Sequence, residues 1–171
     1  MKDGLKIVGT ARCWYTDENG NKIHYTEKKN AIVNAGFDFV RHAIADADAR
    51  PNIMKYVAIG QGSSATAVTM TTLEDEGNRV AGTWSFDEDN KSFTITAVFA
   101  RNTITKRIQE VGVFNAESAG TMLDRAVYAE SIPALPNLEF TQTLTFELAS
   151  HGKNLSRHCS VDIRQHRESD G

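Results

Sequence analysis

RIQEVGVFNAESAGTMLDRAVY, residues 107–128, decides how the rest of the chain is read. Two apolar-rich runs, 108–114 and 121–129, flank NAESAG, whose Asn, Ser and Gly suit a short loop, so the stretch predicts a β-hairpin. If Phe114 pairs with Thr121, then Val113 faces Met122, Gly112 faces Leu123 and Glu110 faces Arg125. The last of these is a cross-strand ion pair, and on physical grounds alone an ordinary surface salt bridge of the weak exposed kind stands beside a buried polar tie as its reading. Gly112 lies mid-strand, where it weakens pairing unless backbone or a large side chain comes close, and so predicts tight packing above it.

Upstream, residues 80–86 (VAGTWSF) and 93–99 (FTITAVF) alternate apolar and polar positions about the polar turn DEDNK. This predicts a half-buried antiparallel hairpin with its aromatic side chains in the core. TLEDEGNR, 72–79, predicts one helical turn or a tight loop in which Glu76 and Arg79, three apart, pair locally if helical. KYVAIGQG, 55–62, predicts a short buried strand ending in Gly60-x-Gly62, followed by a polar stretch rich in Ser, Thr and Ala. A nucleotide loop is disfavoured there, because no crossover helix or second parallel strand follows and the Lys of a P-loop is missing. Val33, Phe37, Val40, Ile44 and Ala47 recur at helical spacing and predict one main helix over 34–49, with Asn34 as N-cap and Arg50-Pro51 as stop. Asp38, Arg41, His42, Asp46 and Asp48 fall on its solvated side. At the start, 6–15 and 22–28 form a predicted hairpin around Asn19-Gly20; a two-residue loop puts Trp14 opposite Tyr25 and Cys13 opposite Thr26.

Downstream, SIPALPNLEF holds Pro133 and Pro136 and predicts an extended edge or crossing segment. Phe140, Leu144, Phe146 and Leu148 then alternate with Thr141, Thr143, Thr145 and Glu147 as a long amphipathic strand. Leu155, Arg157, Cys159, Val161 and Ile163 predict a last strand, which gives a single β-rich domain over 1–165 and a polar tail over 166–171.

The 171 residues carry a formal charge of −3 and no run of Lys or Arg longer than two, which argues against nucleic acid as a partner. No window approaches the roughly 20 apolar residues of a membrane span, and the N-terminus lacks an apolar signal region. Cys13 and Cys159, near opposite ends, match no disulfide framework and no zinc spacing; free thiols, or a disulfide linking the terminal strands or bridging subunits, are the readings. His24, His42, His151, His158 and His166 are scattered, and adjacent His158 and Cys159 on a strand would point to opposite faces, so no metal or other cofactor is called for. No serine sits in a Gly-x-Ser-x-Gly elbow. Glu74 and Glu76 have no companion His, Tyr or sugar-binding aromatic beside them, so an enzyme is not expected.

Taken in order, Asn30-Ala31-Ile32-Val33 with Gly36 opening a helix, YVAIGQG, Leu73-x-x-Glu76-x-x-Arg79, Ile108-x-Glu110-x-Gly112-x-Phe114 and Met122-Leu123-x-Arg125-Ala126 resemble bacteriophage virion proteins of the tail, neck and fibre-collar kind. The resemblance covers residues 30–148, and its specificity lies in the shared order of the motifs. It implies a non-enzymatic building block of the virion, made in the host cytoplasm, that binds copies of itself and other virion proteins. Gly60, Gly62, Leu73, Glu76, Arg79, Glu110, Gly112, Phe114 and Arg125 are then structural signature positions. This company favours the buried reading of Glu110, with Arg125 or Arg79 as partner, holding the sheet to TLEDEGNR.

The fold expected is α+β and mainly antiparallel: a β-sandwich-like domain of hairpins packed face to face, with the helix covering an end or edge. Two rival functions follow from other residues. Trp14, Tyr15 and Tyr25 suggest an aromatic platform on a carbohydrate- or receptor-binding module, and Glu74, Glu76 and Glu110 suggest a small hydrolase.

Overall fold

The computed structural model describes residues 5–148. Its strands are β1 (Leu5–Thr16), β2 (Lys22–Ile32), β3 (Tyr56–Gly60), β4 (Glu76–Ala81), β5 (Thr83–Asp87), β6 (Ser92–Phe99), β7 (Ile108–Phe114), β8 (Met122–Ile132) and β9 (Leu138–Leu148). One α-helix, α1 (Asn34–Ala45), joins β2 to β3. The fold is mainly antiparallel β with one helix, but the hairpins do not form two separate sheets. All nine strands belong to one sheet in the order β4-β3-β7-β8-β2-β1-β9-β6-β5, curled into a half-barrel. The join between β8 and β2 is short, with only Ala31 opposite Arg125 and Ile32 opposite Asp124.

Curling lets side chains from distant strands share one core. Val57, Ile59, Val111, Val113, Ala126 and Tyr128 on one side of the join meet Ile95, Ala97, Phe99, Phe140 and Leu144 from the other. A second, smaller cluster lies on the outer face of β3, β7 and β8, where Ala58, Phe114 and Met122 pack with Leu73 and Val33. The strands of this region are therefore covered on both faces, and the chain segment from Gln61 to Asp75, without helix or strand, supplies much of the outer cover.

Several local expectations change. The β1–β2 loop has Gly20 at positive φ, as Asn-Gly predicts, but it is longer: Asp17 N–H donates to Asn21 O, and Gly20 N–H closes a turn onto Asp17 O. Asp17 accepts from the backbone of Asn19 and Asn21, which stabilises the wider loop. Cys13 lies opposite Thr26 as expected, but a bulge after it sets Trp14 opposite His24 instead of Tyr25. The helix ends at Ala45, short of Ala49, and Val33 is its N-cap in place of Asn34. Asp46 caps the end, its carboxylate accepting from the N–H groups of Asp48 and Ala49, which turns the chain before Arg50-Pro51. Gly36 is the only buried residue of α1, because a Cβ there would sit 2.2 Å from Leu123 O. The helix rides on the backbone of β8, and part of its apolar stripe is left in solvent: Phe37 is 51% exposed and Ile44 74%.

TLEDEGNR forms neither a helical turn nor a loop throughout, since Glu76 begins β4. The predicted strand 80–86 is divided at Gly82, so that β4 pairs with β3 while β5 pairs with β6 at the far edge of the sheet. A Cβ on Gly82 would meet Ile95 Cγ2 at 2.6 Å, and its N–H donates to Lys55 O, so the crossing is possible only for glycine. Trp84 and Phe86, expected in the core, are exposed on this edge strand. The two prolines do lie in an irregular segment between β8 and β9, while β9 itself is central, between β1 and β6. The predicted strand 155–163, the tail 166–171 and Cys159 lie outside the described residues.

Candidate functional site

The hairpin β7–β8 is present, with its register altered. A bulge between Val113 and Phe114 on one side, opposite Leu123 on the other, sets Phe114 against Met122, Val113 against Asp124 and Gly112 against Arg125; Glu110 lies opposite Val127. The bulged Leu123 turns its carbonyl to accept from Val33 N–H, which docks the start of the helix. Glu110 and Arg125 are thus diagonal neighbours, not directly opposed. A displacement by two positions keeps a residue on the same face, so the ion pair survives the change of register.

That pair is completely buried: Arg125 Nε donates to Glu110 Oε2 at 2.7 Å, with both side chains at 0% exposure. Glu110 also accepts three backbone N–H bonds, from Gly62 at 3.0 Å, Glu74 at 3.0 Å and Asp75 at 2.8 Å. Arg125 spends its remaining donors on Ser64 O, Thr66 Oγ1 and Glu74 Oε2. Every one of these partners belongs to the segment from Gln61 to Asp75. The Gly-x-Gly pattern now has a physical meaning, because a Cβ on Gly60 or Gly62 would stand 2.6 Å from Glu110 Oε1. Glycines that in other proteins make room for a phosphate here make room for the chain's own carboxylate.

Leu73 closes the same cradle from above, its Cδ2 lying 3.1 Å from where a Cβ on Gly112 would be, which is the tight packing that a mid-strand glycine predicts. Beside it, Arg79 makes a second tie. Its guanidinium lies 3.7 Å from the centre of the Phe114 ring, pairs with Glu76 through Nε and Nη2, and donates from Nη1 to Ala116 O and Ala119 O in the β7–β8 loop. In a regular strand residues three apart face opposite ways; the irregularity that sets Ile59 against Asn78 but Gly60 against Glu76 brings Glu76 and Arg79 together. Glu110 contacts Arg125 and does not contact Arg79. All the signature positions, from Gly60 through Arg125, nevertheless meet in one contiguous clamp.

On the inner face, adjoining Arg125 in sequence, sits a polar group that sequence reasoning missed. Asp124 is fully buried, accepts from Val113 N–H at 3.2 Å and from the Asn30 amide, and burial pushes its carboxyl up to about 7. Asn30 Nδ2 also donates to Gln142 Oε1 at 3.1 Å, across Gly9, which leaves space for the amide. Among the described residues, Asn30 Oδ1, Gln142 Nε2 and Tyr128 Oη have no partner. The signal was available for Gln142, which shares the parity of Phe140 and Leu144, but not for Asp124, whose face depends on the bulge.

The remaining chemistry-bearing residues do not converge. Among the described residues no group of three or more His, Cys, Asp or Glu is placed to hold a metal. Glu74 accepts from the Ser64 hydroxyl and N–H, which hold its carboxyl below the usual range, and Glu76 is engaged by Arg79. Cys13 is buried, and desolvation pushes its thiol up to about 12. The aromatic platform does not form a single flat surface: Lys22 stands over the Trp14 ring, His24 meets it edge-on, and Tyr15 and Tyr25 are mutually perpendicular in character. No helix among the described residues is long and apolar enough to cross a membrane.

A different surface does stand out. At the mouth of the half-barrel, between α1 and the inner face of β1, β9, β6 and β5, lies an open groove of about 400 Å³. Its lining is apolar and includes Phe39, Ile44, Ile53, Trp84, Phe86 and Phe146. Phe86 is 73% exposed and Ile53 57%, so large apolar side chains face solvent along its rim. Comparison with protein-family models, with curated proteins and with solved structures finds no match to this chain.

Proposed function

We propose that this chain is a non-enzymatic bacteriophage virion structural protein that oligomerises and connects or decorates neck, collar, tail or baseplate components. The observation that carries the docking role is the apolar groove, with Ile44, Ile53 and Phe86 exposed on its rim. Contiguous exposed apolar surface marks association sites, and strand β5, paired among the described residues only with β6, lies at an edge of the sheet beside it. The virion assignment rests on the ordered motifs of residues 30–148, whose signature positions from Gly60 to Arg125 lie together in one clamp. In this reading the two halves of the curled sheet, facing one another across a shared core, serve as a sandwich-like body that holds the groove and the edge in fixed relation.

Light scattering and electron microscopy of the purified protein test the reading. A discrete ring or small oligomer is expected, or association with other virion proteins, and Phe86→Asp should abolish it. A monodisperse monomer at high concentration that associates with no virion protein overturns the proposal.

A further inference from the structure

The two ends of the sheet are built differently. Along β4 the segment after β6 covers the edge: Asn78 Nδ2 donates to Thr103 O, Asn78 Oδ1 accepts from Thr105 N–H, and Lys106 Nζ donates to Glu76 O. At the other end β5 is five residues long, TWSFD, and exposed throughout. Soluble proteins blunt such an edge with Lys, Pro, a bulge or a covering segment. β5 holds no Lys or Pro, its register with β6 is unbroken from Thr83 to Asp87, and among the described residues its backbone is hydrogen-bonded only to β6.

This strand is also complementary to itself. In an antiparallel pair of two copies centred on Ser85, Ser85 meets its own counterpart, Trp84 meets Phe86 and Thr83 meets Asp87, so the whole strand finds a partner. Centring the pair one residue to either side leaves Phe86 and Asp87, or Thr83 and Trp84, with no partner in β5. The two Asp87 carboxylates then stand at opposite ends, about 14 Å apart along the strands and beyond the roughly 8 Å screening length of physiological salt. Trp84 and Phe86 both line the groove, so the aromatic pairs fall on its face and join the grooves of the two copies. One step past the strand, Gly82 comes opposite Glu88. Gly82 N–H donates to Lys55 O at 2.7 Å, so exposed Lys55 of one copy lies where Glu88 of the other arrives, and symmetry repeats this at both ends. Among the described residues neither side chain is in an ion pair.

We infer that two copies of this chain associate through β5, antiparallel about a two-fold axis at Ser85, with Lys55 of each copy meeting Glu88 of the other. The inference rests on the oligomeric reading above and names its partner, surface and register. A contact of this kind closes on itself, so it makes a dimer, or an assembly built of dimers.

The full-length chain supplies the test. Lys55→Glu and Glu88→Lys, both at exposed positions, should each weaken dimerisation about tenfold in sedimentation, because each sets like charges together at both ends of the pair. The double variant should restore it. Ser85→Cys, combined with Cys159→Ser and with Cys13 buried, should form a disulfide between chains about tenfold faster than Glu117→Cys on the exposed β7–β8 loop, since pairing raises the local thiol concentration. An oligomer that the double variant does not rescue, or in which Ser85→Cys reacts no faster than the control, overturns the inference and leaves the assembly reading standing. A chain that stays monomeric also overturns it; if that chain binds no virion protein either, the assembly reading falls with it. Should a variant fail to fold, the natural chain decides: exchange of the Thr83–Asp87 amides should slow several-fold as concentration rises, and exchange there that ignores concentration overturns the inference.

Discussion

Asp124 and Arg125 follow one another along β8, and both are entirely buried, yet the sheet treats their charges differently. Arg125 points to the outer face, where Glu110 and the segment from Gln61 to Asp75 meet its donors. Asp124 points to the inner face, where among the described residues one backbone N–H and one amide donate to it. A buried ion is tolerable when an opposite charge and further hydrogen bonds surround it; a carboxylate without a cation is driven toward its neutral form. The difference teaches that burial alone does not decide how a charged side chain is met here. What decides it is which face a bulge of one residue turns each side chain toward.

The largest effect should come from breaking the outer tie. Glu110→Gln leaves the buried Arg125 with only the more distant, partly exposed Glu74 carboxylate at 3.4 Å as countercharge and is expected to cost about 3 kcal/mol, the lower end of the loss for a broken buried pair, read as a fall in the denaturant midpoint. A loss below about 1 kcal/mol, the range of exposed pairs, would erase the distinction between the two faces. On the inner face, the gap between about 7 and the ordinary 3.8 for Asp124 corresponds to roughly 4 kcal/mol. Because the folded value is raised, that contribution is whole below pH 3.8 and is lost as pH rises through about 7. Stability should therefore decline from about pH 4 to pH 7 and then level. Asp124→Asn should flatten that decline, with Asn30 Oδ1 able to accept from the new amide; thermal unfolding across this range checks it. Asp17 and Asp46 act in the opposite sense. Backbone N–H bonds, foremost from Asn21 and Ala49, hold their carboxyls low, so their contributions fade only in more acidic solution.

A smaller loss is expected from the cradle. Gly62→Ala puts a Cβ 2.5 Å from Glu74 Cβ and 2.6 Å from Glu110 Oε1, an overpacking that typically costs about 1–3 kcal/mol. Proteolysis within residues 61–75 should accelerate in this variant, while the inner core stays protected from hydrogen exchange. The smallest effect belongs to the surface. Arg12 pairs with Glu27 at 2.9 Å in solvent, and Arg12→Ala should change stability by less than about 1 kcal/mol. A larger change would show that exposed pairs contribute more in this sheet than the contrast with Glu110 and Arg125 allows.

Much of the architecture was legible because period and punctuation are local. Alternation marked β1, β6, β7 and β9, Asn19-Gly20 marked the first turn, and Gly112 announced the close approach of Leu73. The misreadings of register share one cause, the irregularities of the sheet. Bulges after Cys13, between Val113 and Phe114 and near Gly60 shift register without leaving a signature in composition. The break at Gly82 likewise looks like continuous alternation until the partner strands are known. TLEDEGNR was ambiguous because its charges satisfy a helix and a bulged strand equally well, and only pairing with β3 selects the strand. For the groove, the sequence showed apolar residues at helical and strand spacing; that Ile44 and Phe86 are exposed on it is seen only in the folded arrangement of α1 and β5.

The sequence by itself determined that this chain is a mainly antiparallel β protein with one helix, that Glu110 and Arg125 share a face, and that something packs tightly over Gly112. These follow from side-chain period and from the cost of a glycine in mid-strand, both of which are legible along the chain. Only the tertiary structure decided that the hairpins join into a single curled sheet, that the ion pair lies under the segment from Gln61 to Asp75, and that Asp124 faces the core. Each of those depends on pairings between residues far apart in sequence, where a shift of one position reverses a face and no local pattern records it.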